Sequence, residues 1–213
     1  ITEQVLTLSC PEKDALFRAL ITNTEEANRN YKYDFLFDNC TTRAGKMIRD
    51  HAGSTLQFRN ILPQEKLSFR DMIHNYLRKG KQSWSETGID ILLGSRIDRQ
   101  VTNEEAILFL PDYLMKGMDS SIKNQQPFIG HSAVIVPAPP VSAEKPVDPL
   151  LVFSLLLAVV AALSFVSRKA IQALVNAFDH LFFTVLGLLG FLLLFMWFGT
   201  DHWSCAANYN LLW

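Results

Sequence analysis

The chain has 213 residues, with 20 Lys and Arg against 21 Asp and Glu and a net charge of −1. That balance removes the electrostatic footing for a nucleic-acid binder. The first ~145 residues have the length and composition of one globular domain, while two long charge-free runs towards the C-terminus set the rest apart.

Pro11 to Arg29 reads as a helix, with Ala15, Leu16, Ala19 and Leu20 on one face. Tyr31 to Phe37 reads as a short extended approach to the most informative stretch, Phe35-Leu36-Phe37-Asp38-Asn39-Cys40-Thr41-Thr42-Arg43. A lone cysteine there follows an Asp-Asn pair and precedes a helix-like run. Asp38 or Asn39 serves as the N-cap and leaves Cys40 in the first turn. Unpaired N–H groups and the positive end of the helix dipole stabilise a thiolate at that place. Free cysteine titrates near ~8.5, and this kind of location lowers the value by about one to several units. The thiolate is the nucleophile, so the segment reads as a site of covalent thiol chemistry. Backbone amides of the same turn are natural oxyanion donors, with Asp38, Asn39 and Thr41 as supports. Thr41 reads equally as a plain helix-start residue.

The cysteine's helix is expected over Thr41 to Ala52, with Ala44, Met47, Ile48 and Ala52 at helical spacing and Gly53 as its stop. Ser68-Phe69-Arg70-Asp71 opens another helix, striped by Phe69, Met72, Ile73, Tyr76 and Leu77 and closed by Gly80. Thr102-Asn103-Glu104-Glu105 opens a third, stopped near Pro111. Ser132 to Val136 is the best strand candidate. Pro137 to Pro149 is a Pro-rich, semi-rigid linker that would hold the domain at a fixed height above a bilayer.

Leu150 to Val166 carries no charge and twelve Leu, Val or Phe residues. At roughly −0.3 to −0.6 kcal/mol each, these favour insertion by roughly −4 to −7 kcal/mol. Leu181 to Gly199 is a second such run. Each meets the ~17–25 residues needed to span a bilayer core. The division is therefore 1–136 as a domain on the periplasmic or extracellular side, 137–149 as linker, 150–167 and 181–199 as transmembrane helices, and 200–213 as a tail on the same side as the domain. That tail stops at Leu211-Leu212-Trp213, as if entering a further apolar segment or an aromatic belt. Ser167-Arg168-Lys169 supplies the positive-inside signal that places 168–180 in the cytoplasm.

Candidate partners for the thiol are few. No histidine precedes Cys40. His51 lies three turns along the same helix and suits a helix C-terminal charge role. His74 reads as a solvated helix residue, His131 as the start of the strand, and His180 as a cytoplasmic border residue. His202, after Asp201 at the outer mouth of the second span, is the histidine placed to face a lipid-bound substrate, or else a plain interfacial residue. Cys10 and Cys205 fall on the same oxidising side and could be bridged, which spacing leaves open. No Cys/His spacing resembles a metal site, and no cofactor is expected.

Tyr33-Asp34-Phe35-Leu36-Phe37-Asp38-Asn39-Cys40-Thr41-Thr42-Arg43 resembles the Asn-Cys-Ser/Thr-Thr signature of the lipoprotein N-acyltransferases (Lnb) of Bacteroides-type bacteria. Ser68-Phe69-Arg70-Asp71, Gly88 to Gly94, and Leu108 to Leu114 match further stretches in order. So do Thr200-Asp201-His202 and Asn208 to Trp213 after the second span. The resemblance implies an α+β fold, helix-rich as seen here, part of a circularly permuted papain-related (NlpC/P60-like) domain followed by transmembrane helices. In such permuted enzymes the partner histidine precedes the cysteine, so the base is expected either upstream of Ile1 or at another histidine.

Residues and resemblance together point to an inner-membrane, multi-pass acyltransferase. Cys40 would accept an acyl chain from a phospholipid as a thioester and pass it to the N-terminal amine of an S-diacylglyceryl-cysteine lipoprotein. The thiol and the membrane come from the residues; the substrates come from the resemblance. A membrane-anchored cysteine hydrolase, either a peptidoglycan peptidase or a lipase, and a non-enzymatic envelope anchor remain open alternatives.

Overall fold

The structure, a computed structural model, describes residues 1–63, 66–138 and 146–212. Most of the expected linker and Trp213 lie outside the described residues. In chain order the elements begin with β1 (Thr2–Leu6), α1 (Cys10–Thr24), α2 (Cys40–His51), β2 (Leu56–Gln57), α3 (Phe69–Lys79) and α4 (Ser83–Leu92). They continue with α5 (Asn103–Phe109), α6 (Pro111–Ser120), β3 (Ile122–Lys123), β4 (Gln126–Pro127), β5 (Ile129–Val134), α7 (Pro149–Ser164) and α8 (Lys169–Phe198). Short 3₁₀ turns follow α4 at Ser95–Asp98 and α8 at Trp203–Cys205 and Tyr209–Leu212. The class is α+β and helix-rich. The chain forms two compact units, Ile1–Phe69 with Arg99–Pro140, and Arg70–Asp98 with Val141–Trp213.

In the first unit β1 pairs antiparallel with β5, Thr2 opposite Val134 and Val5 opposite His131, with an irregularity before Leu6↔Ile129. The strand expected from Ser132 begins three residues earlier, because the pairing reaches back to Ile129. β2, β3 and β4 make a small antiparallel sheet. The core gathers Ala52, Met118 and Phe128, flanked by Leu6, Ile48, Leu56 and Leu114, and a neighbouring group of Ile61, Ile107 and Leu108. Helix α2 approaches α5 and α6 so closely that a Cβ on Gly45 would overlap the Leu108 side chain. Helix α1 starts one residue before its expected Pro11 and stops at Thr24. Ser9 and Glu12 form a capping box at its start, and Lys123, a buried lysine, donates to the Glu12 carboxylate.

In the second unit α7 and α8 pack as a hairpin joined through residues 165–168. Asp148 caps α7, its Oδ1 accepting from the Leu150 amide at 2.9 Å. The 16 residues of α7 rise about 24 Å, short of a ~30 Å hydrocarbon core. The 30 residues of α8 rise about 45 Å, more than such a core. Almost none of the α8 apolar window is buried within the protein, unlike the core helix of a soluble domain. The loop expected over 168–180 is a correction: α8 already runs from Lys169. Ile171, Val175 and Phe178 recur at helical spacing there, and no Pro or Gly interrupts them.

The end of the hairpin where α7 begins and α8 finishes carries a polar cap. Trp84 of α4 meets Phe153 of α7 edge-on at 5.8 Å. The tail after α8 returns to α4: Asn208, 1 % exposed, donates from Nδ2 to the carbonyls of Ile91 (2.8 Å) and Leu92 (3.0 Å). Asn210 donates likewise to Asp90 (2.9 Å) and Ile91 (3.1 Å). These are the carbonyls a helix C-terminus leaves without partners. The Gly94 amide donates to the Ser204 carbonyl (2.9 Å) and the Ser95 amide to that of Ala207 (3.0 Å). A Cβ on Gly94 would overlap the Ala206 backbone.

Candidate active site

Helix α2 starts at Cys40 because the residue before it is built into the protein on every side. Asn39 has extended backbone (φ −96°, ψ 179°) and accepts from the Thr42 amide, which makes it the N-cap. Of the two cap candidates in the sequence, it is therefore Asn39 rather than Asp38. Its Oδ1 takes the Thr42 N–H at 2.9 Å and the Thr42 hydroxyl at 3.2 Å. Its Nδ2 donates to the carbonyls of Phe35 (2.9 Å) and Phe109 (3.0 Å). At 4 % exposure with both amide hydrogens engaged, Asn39 supports the turn and has no donor left for an oxyanion.

Asp38 has a different task. Its carboxylate is held by Arg43 through Nε at 3.1 Å and Nη2 at 2.8 Å. That pairing raises the guanidinium above its ordinary pKa. The same guanidinium lies 3.5 Å from the Tyr31 ring centroid. Asp34 turns the chain just upstream, accepting from the Leu36 and Phe37 amides at 2.9 Å each. Behind these turns the rings of Phe35, Phe109, Phe69 and Phe37 meet edge to face, with centroids 5.0–5.6 Å apart. Arg99 covers Phe37 and Phe69 and is itself held by Glu105 at 2.6 Å.

Cys40 emerges from this frame as an exposed free thiol. It is the first residue of α2, so its own amide and that of Thr41 have no partner within the helix. Thr41 is buried beside it. Sequence reasoning misses two residues of this site. Thr42 ties the first turn inward, its hydroxyl donating to the Leu108 carbonyl at 3.0 Å. Its position three residues after an Asn cap is the signal that could have found it. Tyr33 is the other. Burial raises its phenol above the ordinary value and the charge of Cys40 adds to the rise, which places the phenol within electrostatic reach of the thiol.

The histidines divide differently. His51 Nδ1 is bonded to the Met47 carbonyl at 2.9 Å, and His131 is exposed within β5. Among the described residues no hydrogen bond joins a histidine to Cys40. His74 corrects the expectation of a solvated side chain. It is 15 % exposed, with Nε2 2.8 Å from Asp90 and Nδ1 3.5 Å from Glu86, because α4 lies along its face of α3. His202 belongs to the second unit, exposed after the end of α8, with Nδ1 2.9 Å from the Thr200 hydroxyl. Cys10 and Cys205, whose pairing the spacing left open, are both free thiols. Cys10 is exposed at the start of α1. Cys205 is buried in the tail, and that burial raises its thiol pKa. Among the described residues no group of three His, Cys, Asp or Glu side chains converges as a metal site.

Comparison with known families supplies the remaining finding. Residues 1–78 match the Lnb N-terminal periplasmic domain, and residues 142–213 match the Lnb transmembrane domain. No curated protein and no solved structure matches the chain. With Cys40 and its turn inside the first match and both apolar helices inside the second, the chain belongs to the Lnb family and is a membrane protein with a periplasmic N-terminal domain.

Proposed function

We propose that this protein is a membrane-bound acyltransferase in which Cys40 carries an acyl chain from a phospholipid to the α-amine of an S-diacylglyceryl-cysteine lipoprotein. The observation that supports this most is the exposed Cys40 thiol, seated by the buried Asn39 cap at the start of α2 in a chain of the Lnb family. In the first half-reaction Sγ attacks the ester carbonyl. A C–S bond forms, the ester C–O bond breaks, and the lysophospholipid leaves with the thiol proton. In the second the lipoprotein amine attacks the thioester, a C–N bond forms, the C–S bond breaks and the thiol is regenerated. A thiol suits this because it divides one hard aminolysis into two easier steps. The Cys40 and Thr41 amides take the role of oxyanion donors, and the buried Asn39–Thr42 tie fixes the turn that aims them.

In this reading the first unit is part of a permuted NlpC/P60-like domain, with Cys40 at the head of its helix. α8 crosses the inner membrane, the shorter α7 crosses it where the bilayer thins to meet its length, and residues 200–212 return to the periplasmic side. The test is mass spectrometry of lipoprotein N-termini from cells whose sole copy is Cys40→Ala or Cys40→Ser. Both variants should accumulate in the membrane and leave lipoproteins without the N-acyl chain. Wild-type levels of N-acylated lipoprotein in the Cys40→Ala strain would overturn the assignment. Release of free fatty acid with no amide product from purified wild type would make the enzyme a hydrolase.

A further inference from the structure

The second unit holds a pocket of about 280 Å³ where α8 ends. Its walls include Trp197, Thr200, Asp201, His202 and Trp203, with Arg96 from the 3₁₀ turn after α4. Three features of it point to one ligand chemistry. Arg96 lies 4.4 Å from the Trp203 ring centroid and makes no hydrogen bond or ion pair among the described residues. Asp201 lines the same pocket and has an interaction of its own. Thr200 donates its hydroxyl to the Met196 carbonyl at 2.8 Å. Its oxygen therefore accepts from His202 Nδ1–H at 2.9 Å, which turns Nε2 away from that bond. Finally, Trp197 stacks on Phe198 in the last turn of an apolar 30-residue helix. Trp197 and Trp203 thus mark the level where hydrocarbon gives way to headgroups.

We propose that this pocket binds the phosphodiester headgroup of a glycerophospholipid. An arginine stacked on an indole presents its planar fork to phosphate oxygens, which a guanidinium meets in bidentate fashion. The indoles pack the glycerol end, and the acyl chains descend along the exposed apolar face of α8, where Phe191 and Phe195 are open. Free phosphate shares the headgroup's charge but lacks those chains, so its binding separates the two sources.

The experiment uses the full chain in detergent with Cys40→Ala, so that no turnover consumes the lipid and a failure here is separate from failure of the thiol scheme. Native mass spectrometry follows titration with dioleoyl phosphatidylethanolamine. One lipid should bind per chain, and Arg96→Ala and Arg96→Gln should each raise the half-saturating concentration about tenfold or more. Arg96→Lys, which keeps the charge and loses the fork, should fall between. Inorganic phosphate should compete only at concentrations far above those of the lipid. Unchanged half-saturation in both neutral variants would overturn the proposal. So would equal loss in the Lys and Ala variants, which would trace the effect to packing on Trp203. Phosphate competing as well as lipid would overturn the lipid assignment.

Discussion

Asn39 makes the sharpest quantitative test of how the Cys40 turn is built. Replacing it with Ala removes the cap bond to the Thr42 amide, worth about 1 kcal/mol. It also strips the partners from the Phe35 and Phe109 carbonyls, and the second of these bonds is fully buried. A buried acceptor left unpaired costs about 1–3 kcal/mol. The expected loss for Asn39→Ala is therefore about 3 kcal/mol, several times that of a surface cap. Thr42→Val loses the hydroxyl bond to Leu108 and should cost about 1 kcal/mol. Because Thr42 and Asn39 share Oδ1, the double variant should lose less than the sum. No tryptophan falls within the residues of the first unit, so indole fluorescence does not report that unit. Hydrogen exchange of the α2 peptides under increasing urea reads the first. Destabilised α2 with unchanged tryptophan emission is the expected pattern. A loss of only about 1 kcal/mol in Asn39→Ala, the value of a cap alone, would show that the two carbonyl bonds contribute nothing and would refute the account of Asn39 as a buried tie.

Acid should weaken the first unit in a defined window. Lys123 and the Ser9 amide hold Glu12 down from 4.5 to about 2, and Arg99 with the Thr102 amide does the same for Glu105. A depressed carboxylate contributes stability above its unfolded pKa and loses it as pH falls through the folded value. Each pair should therefore give up on the order of 2 kcal/mol between about pH 4.5 and 2. Glu12→Gln should flatten that slope in pH-dependent exchange, and an unchanged slope would count against the Lys123 pairing. Gly94→Ala should disrupt the cap over α4, because the added methyl meets Ala206 backbone and not a movable side chain. Altered tryptophan emission with normal α2 exchange is expected, and unaltered emission would refute the close approach. In a Cys10→Ser background, alkylation should fall on Cys40 and spare the buried Cys205. Rapid labelling of Cys205 in the folded chain would contradict its burial.

The range of each interaction decides how legible it is in the sequence. The start of α2 could be read because an N-cap is local chemistry: Asn39 acts on Thr42, three residues away. The capping boxes at Ser9–Glu12 and Thr102–Glu105 are local in the same way, and the second stood out from spacing alone. The apolar helices were visible because hydrocarbon imposes length and composition on each segment separately. Their edges were not. Lys169 and Asp179 are charges, and charge reads as a boundary, yet the Ile171-Val175-Phe178 stripe carries the helix through them. His74 was misjudged for a related reason. Its own helix gives it a solvent-facing look, and only α4, whose Glu86 and Asp90 come 12 and 16 residues later, closes over it.

The tail shows why family resemblance and physical reasoning answer different questions here. Asn208-Tyr209-Asn210 matches a family pattern, and the pattern gives no reason for the asparagines. In the fold each asparagine spends its side-chain amide on the last carbonyls of α4, more than 115 residues away in sequence. Leucine at 208 would take this donor from the Leu92 carbonyl and leucine at 210 would take it from the Asp90 carbonyl, and aspartate would set an anion against them. The choice of asparagine is therefore forced by a helix end that must be closed by chain returning from the end of α8. The same return brings Trp203 and His202 up to Arg96. Loosening the Asn208 clamp should therefore also weaken the headgroup pocket. Asn208→Leu with unimpaired phosphatidylethanolamine binding would separate the two and show that the pocket stands without the clamp.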